Sequence, residues 1–89
     1  MHEQAVIRDL VGRIDELAEG ERATAVTRIQ VRLGALSHFT PEHFREHFGD
    51  AARGTRAEGA TIEAAVCDDV NAPNAAGVVL ETVELEVPD

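Results

Sequence analysis

The chain has 89 residues, 44% of them hydrophobic but only 3% aromatic, so it has room for one domain with a thin aliphatic core and not for two. A formal net charge of -9 and a pI near 4.7 exclude the basic surface that nucleic acid or an anionic membrane demands of a partner. Arg8, Asp9, Arg13, Asp15 and Glu16 break up residues 1–20, which excludes a signal peptide or a spanning helix, and the single cysteine points to a reducing cytoplasm.

Chemistry begins at the first residues, Met1-His2-Glu3. With the α-amine of Met1 free, that amine, the backbone nitrogen of His2 and Nδ1 of its ring close adjoining chelate rings around one metal ion. Three nitrogens in a plane suit Ni(II) or Cu(II), whereas Zn(II) prefers a tetrahedral cage, often with thiolates. The simpler reading is a frayed, solvated terminus, with Glu3 a first-turn acid favoured by the helix dipole.

A helix follows, because Ile7, Leu10, Val11, Ile14, Leu17 and Ala18 recur at three- and four-residue spacing and charges fill the remaining face. Gly20 is its expected C-terminal cap. From Ala25 to Leu33 the period changes to two, Ile29, Val31 and Leu33 alternating with Arg28, Gln30 and Arg32, which is a strand with one buried face. Gly34 to Thr40 is turn, and Thr40-Pro41-Glu42 opens a second helix with Thr as N-cap, Pro at the first helical position and an acid in the first turn. Phe39 and Phe44 bracket that start as a hydrophobic staple, and Phe44, Phe48 and Ala51 continue the apolar stripe until the Gly49-to-Gly54 stretch ends it.

Ala60, Ile62, Ala64 and Val66 alternate with Thr61, Glu63 and Ala65 as a second strand. Residues 67–77, rich in Asp, Asn, Ala and Pro, are loop. A third strand over Val78 to Val87 is expected to bury Val83, Leu85 and Val87, with a bulge at the adjacent apolar pair Val79 and Leu80. The fold class is therefore α+β: two helices packed on one face of a small three-stranded β-sheet, the other face left to Arg28, Arg32, Glu63 and Glu84.

Outside the terminus few residues carry chemistry. His43 and His47, four apart on the second helix, place both rings on one face, a spacing able to hold a metal. Lacking a third ligand on that helix, they read more simply as a solvated or half-buried pair. His38 is a loop residue, and Cys67 a small, partly buried hydrophobe with no base or oxyanion hole to make it a nucleophile. Glu81, Glu84, Glu86 and Asp89 form a solvated acidic strand face, or a docking surface for a basic partner.

Taken together, Met1-His2-Glu3, Leu33-Gly34-Ala35-Leu36-Ser37, Pro41-Glu42, Phe48, Gly54-Thr55 with Ala57-Glu58-Gly59-Ala60-Thr61-Ile62-Glu63, and the closing Glu84-Leu85-Glu86-Val87 resemble the HypA/HybF nickel metallochaperones of NiFe-hydrogenase maturation. The resemblance covers most of the chain outside residues 67–77. It implies a nickel-binding domain whose metal residues are Met1, His2 and Glu3, with His2 the essential ligand, Glu3 giving its amide nitrogen and its carboxylate orienting the His2 ring. It further implies Ni(II) as transient cargo, a hydrogenase large-subunit precursor and a nickel-handling GTPase as partners, and no enzymatic activity.

The family carries a zinc domain between its last two strands, held by two Cys-x-x-Cys pairs, and this chain departs from that pattern with Cys67 alone. Structural zinc needs four protein ligands, so none is expected. Residues 1–89 then form one nickel-binding-type domain, with 67–77 a loop in place of the zinc domain. Two function classes follow: a cytoplasmic metal-delivery protein holding Ni(II) at its N-terminus, or a metal-free interaction module on the same fold, working through an exposed sheet edge or the acidic strand.

Overall fold

Glu3–Gly20 form helix α1 of the computed structural model, which describes residues 3–88; β1 (Ala25–Leu33), α2 (Pro41–Ala51), β2 (Thr61–Val66) and β3 (Val78–Glu86) follow. The 4-3-4 spacing of Ile7, Val11, Ile14 and Ala18 puts all four on one stripe of α1, and all four are buried. Leu17, expected on that stripe, is 44% exposed. At about 100° per residue it falls to the flank of a stripe centred on the other four.

The helix closes in a Schellman motif, and Arg22, not Gly20, is the left-handed residue, at φ 59°. The amide of Arg22 donates to Glu19 O at 3.0 Å and that of Ala23 to Ala18 O at 2.8 Å. Ala23, buried, is the apolar contact that accompanies the motif.

Strand β1 is central, in the order β2-β1-β3. It runs parallel to β2, a pairing that needs a crossover, and α2 supplies it; β3 pairs antiparallel on the other side. Val26, Ile29, Val31 and Leu33 turn inward beneath the helices and, with Phe39, Phe44 and Phe48, form the core. The register against β3 shifts twice, at Thr27 and at Glu81. The second irregularity, expected at Val79 and Leu80, thus lies just beyond them. It lets Leu80 and Val83, three apart, both pack against the core. Val87, expected to be buried, is 52% exposed, because β1 begins at Ala25, whose partner is Glu86, and nothing in β1 stands opposite Val87. Val66, at the end of edge strand β2, is likewise exposed.

Thr40 caps α2, its Oγ1 accepting from His43 N at 3.2 Å, and the rings of Phe39 and Phe44 meet edge-on with centroids 5.6 Å apart. The Gly54-to-Gly59 run is a self-bonded turn: Glu58 Oε1 accepts from Gly54 N at 2.9 Å, and the Thr55 hydroxyl donates to Ala52 O at 2.7 Å. Its centre is tied to both layers, since Val26 N donates to Arg56 O at 2.8 Å and Arg56 N donates to Asp15 Oδ1 at 3.1 Å. The loop after β2 is tied down as well. Cys67 N donates to Leu33 O at 2.8 Å, Gly34 N to Gly77 O at 2.9 Å, and Leu36 N to Ala75 O at 2.7 Å.

Candidate functional site

Met1 and His2 lie outside the described residues, and Glu3 is the first residue of α1. The described structure therefore begins where the terminal chelate of the sequence ends. Immediately after it, Gln4, Ile7 and Arg8 on the first two turns of α1 form one wall of a recess of about 230 Å³. His47, Asp50 and Ala51 of α2 form the facing wall. Asp50 is paired with Arg53, Oδ1 to Nη2 at 2.7 Å, so its charge is partly neutralised within its own helix end.

His43 and His47 do meet on one face of α2, ring centroids 4.4 Å apart and planes at 59°. His43 is exposed and His47 half-buried. Both are held by a helix whose neighbouring residues Phe44 and Phe48 are fully buried. His38 stands apart from them. It is a left-handed residue at φ 65° in the loop before α2, on the rim of a cavity of about 380 Å³ lined by Val6, Leu36, Phe39 and Val78.

Cys67 is partly buried at the end of β2, in a cleft of about 280 Å³ shared with Arg32 and Asp69. Among the described residues no three His, Cys, Asp or Glu side chains come together as a metal cage.

The outer face of the sheet carries the expected charges. Arg28 donates from Nε to Glu63 Oε2 at 2.8 Å and from Nη2 to Glu63 Oε1 at 2.7 Å, and it also bonds Glu84. Arg28, aided by Gln30 Nε2 at 2.9 Å, pulls the Glu63 carboxyl down to about 2. Arg32 lies 3.7 Å from Glu81. Glu63, Glu84 and Glu81 are thus each engaged by an arginine of β1.

One pairing was invisible in the sequence. Asp15 accepts both the backbone amide of Arg56 at 3.1 Å and its Nη1 at 3.2 Å, which holds the carboxyl below its ordinary value, the backbone bond first among the causes. Its only sequence signal is an acid beside the apolar stripe of α1.

The family model described as "Hydrogenase/urease nickel incorporation, metallochaperone, hypA" matches residues 1–86. Among curated proteins the chain is 36% identical over 66 residues to "Hydrogenase maturation factor HypA" of Archaeoglobus fulgidus, covering 74% of this chain and 60% of the relative. It is 38% identical over 63 residues to the protein of the same name in Methylocella silvestris, covering 71% of this chain and 56% of the relative. The matches thus span little more than half the length of these relatives. Among solved structures, the solution structure of the Ni metallochaperone HypA from Helicobacter pylori superposes with a TM-score of 0.79 over 99% of this chain and 100% of that one, at 18% identity. That likeness is one of fold.

Proposed function

We propose a function from one premise: this chain belongs to the HypA family of hydrogenase/urease nickel-incorporation metallochaperones. On that premise the protein is a carrier and not an enzyme. It holds Ni(II) as cargo and gives it up to the precursor of a NiFe-hydrogenase large subunit, with a nickel-handling GTPase as a second partner, in the reducing cytoplasm. The observation that carries the reading is that the family match begins at residue 1 and so takes in Met1, His2 and Glu3, the residues with the chelating atoms. The names of the relatives, hydrogenase maturation factor and Ni metallochaperone, support the same cargo.

In this reading the α-amine of Met1, the backbone nitrogen of His2 and Nδ1 of the His2 ring hold the ion, with the amide of Glu3 as a fourth nitrogen. Square-planar nitrogen donation of this kind selects Ni(II) or Cu(II) over Zn(II). Handing over favours ligands that leave one at a time, which a chain end provides better than a buried cage. Residues 67–77 stand in place of a zinc domain, and Cys67, the one thiol, leaves structural zinc without its ligands.

Titrating Ni(II) into the chain with a free amine, its N-acetylated form and His2→Ala tests the reading by calorimetry and visible absorption. The free-amine chain is expected to bind one ion tightly with a square-planar spectrum, and both altered forms to lose that binding. Equal tight binding by all three forms takes the site away from residues 1–3, and absence of tight binding by the free-amine chain leaves the metal-free interaction module as the better account.

A further inference from the structure

We propose that His43 and His47 form a second, weaker Ni(II) position on α2, separate from the terminal one. Residues four apart on a helix have Cβ atoms about 5–6 Å apart on the same face. Two imidazoles in neighbouring coordination positions need nitrogens about 3 Å apart, given metal–nitrogen bonds of about 2.1 Å. With ring centroids already 4.4 Å apart, small side-chain rotations bring the nitrogens to that separation.

The helix beneath is rigid where it matters. Phe44 and Phe48, one step round from the two histidines, are fully buried, and Thr40 pins the first turn through the amide of His43. Ligands mounted on a packed helix need little ordering on binding. The surroundings set the strength. Glu42 and Glu46 flank the histidines in sequence, in a chain of net charge -9, and favour a cation. Arg8 across the recess opposes it, and Asp50 is engaged by Arg53. Two imidazoles with water in the remaining positions therefore make a site weaker than the terminal chelate, one that suits an ion in transit.

Its place in the fold gives it meaning. His47 shares its recess with Gln4, two residues along the chain from His2, so the second position adjoins the start of α1. The proposal stands without the terminal reading, because both of its donors are on α2.

The test uses the N-acetylated chain, which silences the terminal amine, with its histidines labelled with ¹⁵N and NiSO₄ as the probe. The ring resonances of His43 and His47 are expected to broaden at lower Ni(II) than those of His38, the internal reference. Calorimetry is expected to show affinity falling in His43→Ala and in His47→Gln by at least the roughly tenfold that losing even an indirect partner of a ligand costs. Circular dichroism melts confirm that both variants fold. If the His43→Ala/His47→Gln double variant of the acetylated chain gives the same isotherm as its parent, or His38 responds as strongly as the pair, the second position does not exist. The terminal reading is judged on a different arm, free amine against acetylated, both in the double variant.

Discussion

Asp15 is a single carboxylate that joins three elements. It sits on α1, it accepts the amide of Arg56 in the turn before β2, and the carbonyl of that same Arg56 accepts the amide of Val26 in β1. Arg56 holds the folded-state pKa of Asp15 below its ordinary 3.8. A depressed carboxyl contributes stability that is present above its unfolded pKa and lost as pH falls through the folded one. Asp15→Asn keeps an oxygen for the amide but removes the charge. For a half-exposed pair the cost at pH 7 is about 0.5–1 kcal/mol, or roughly 2–8 °C in a chain of this size. Melts of the two proteins from pH 7 down to pH 3 are expected to converge below pH 4. A gap that stays constant across the range would mean that the ionised carboxylate contributes nothing beyond its hydrogen bond.

At the scale of elements, β1's end and the loop after β2 meet backbone to backbone at Gly34. A Cβ built on Gly34 would stand 2.1 Å from Ala75 O and 2.5 Å from Asn74 O, both backbone atoms that no side-chain rotation can move aside. Gly34→Ala is therefore expected to cost about 1–3 kcal/mol through backbone displacement, read by urea unfolding. The amide of Leu36, which donates to Ala75 O, is expected to exchange its hydrogen faster. Unchanged stability and exchange would show the loop to be loosely docked.

Element identity was legible because each element has its own period and its own stop: β1's alternation ends at Gly34, and α2 opens at Thr40-Pro41. Phase was less so. Leu80 and Val83 demand one extra residue between them, but which residue bulges is decided by the pairing with Gln30 and Val31, and a single strand does not contain its partner. The cap at Arg22 escaped for a similar reason. Glycine is the usual left-handed residue, yet here the chain must turn two residues later to bury Ala23.

For the molecule as a whole, the core of Ile7, Ile14, Ile29, Leu33, Phe44 and Phe48 is continuous under both helices and is built from aliphatic and Phe side chains. Overnight dialysis against EDTA is accordingly expected to shift the melting temperature by less than about 2 °C, the effect of a change under about 0.5 kcal/mol in a chain of this size. Elemental analysis of chelator-free protein is expected to show well under one zinc per chain. A full equivalent that survives dialysis and whose removal unfolds the protein would assign His38, His43 or His47 a structural role. The candidate site divides along the same line. The terminal donors depend only on covalent neighbours and are legible from residue types, whereas the recess joining Gln4 to His47 exists only once α1 lies across α2.

Val66 and Val78 both stand opposite Leu33, one on each side of it. The loop between them leaves and re-enters the sheet two strand spacings apart, about 9–10 Å. That gap is fixed by β1 and is indifferent to what fills it. Closing a chain segment across a fixed gap costs only about 0.6 kcal/mol more for each doubling of its length. A longer flexible link would thus cost little more in closure entropy than the eleven residues at 67–77. The rim beside Leu33 is therefore a place where added length costs little entropy, and the contacts of Gly34 and Leu36 with Ala75 and Gly77 are what a new link would have to replace.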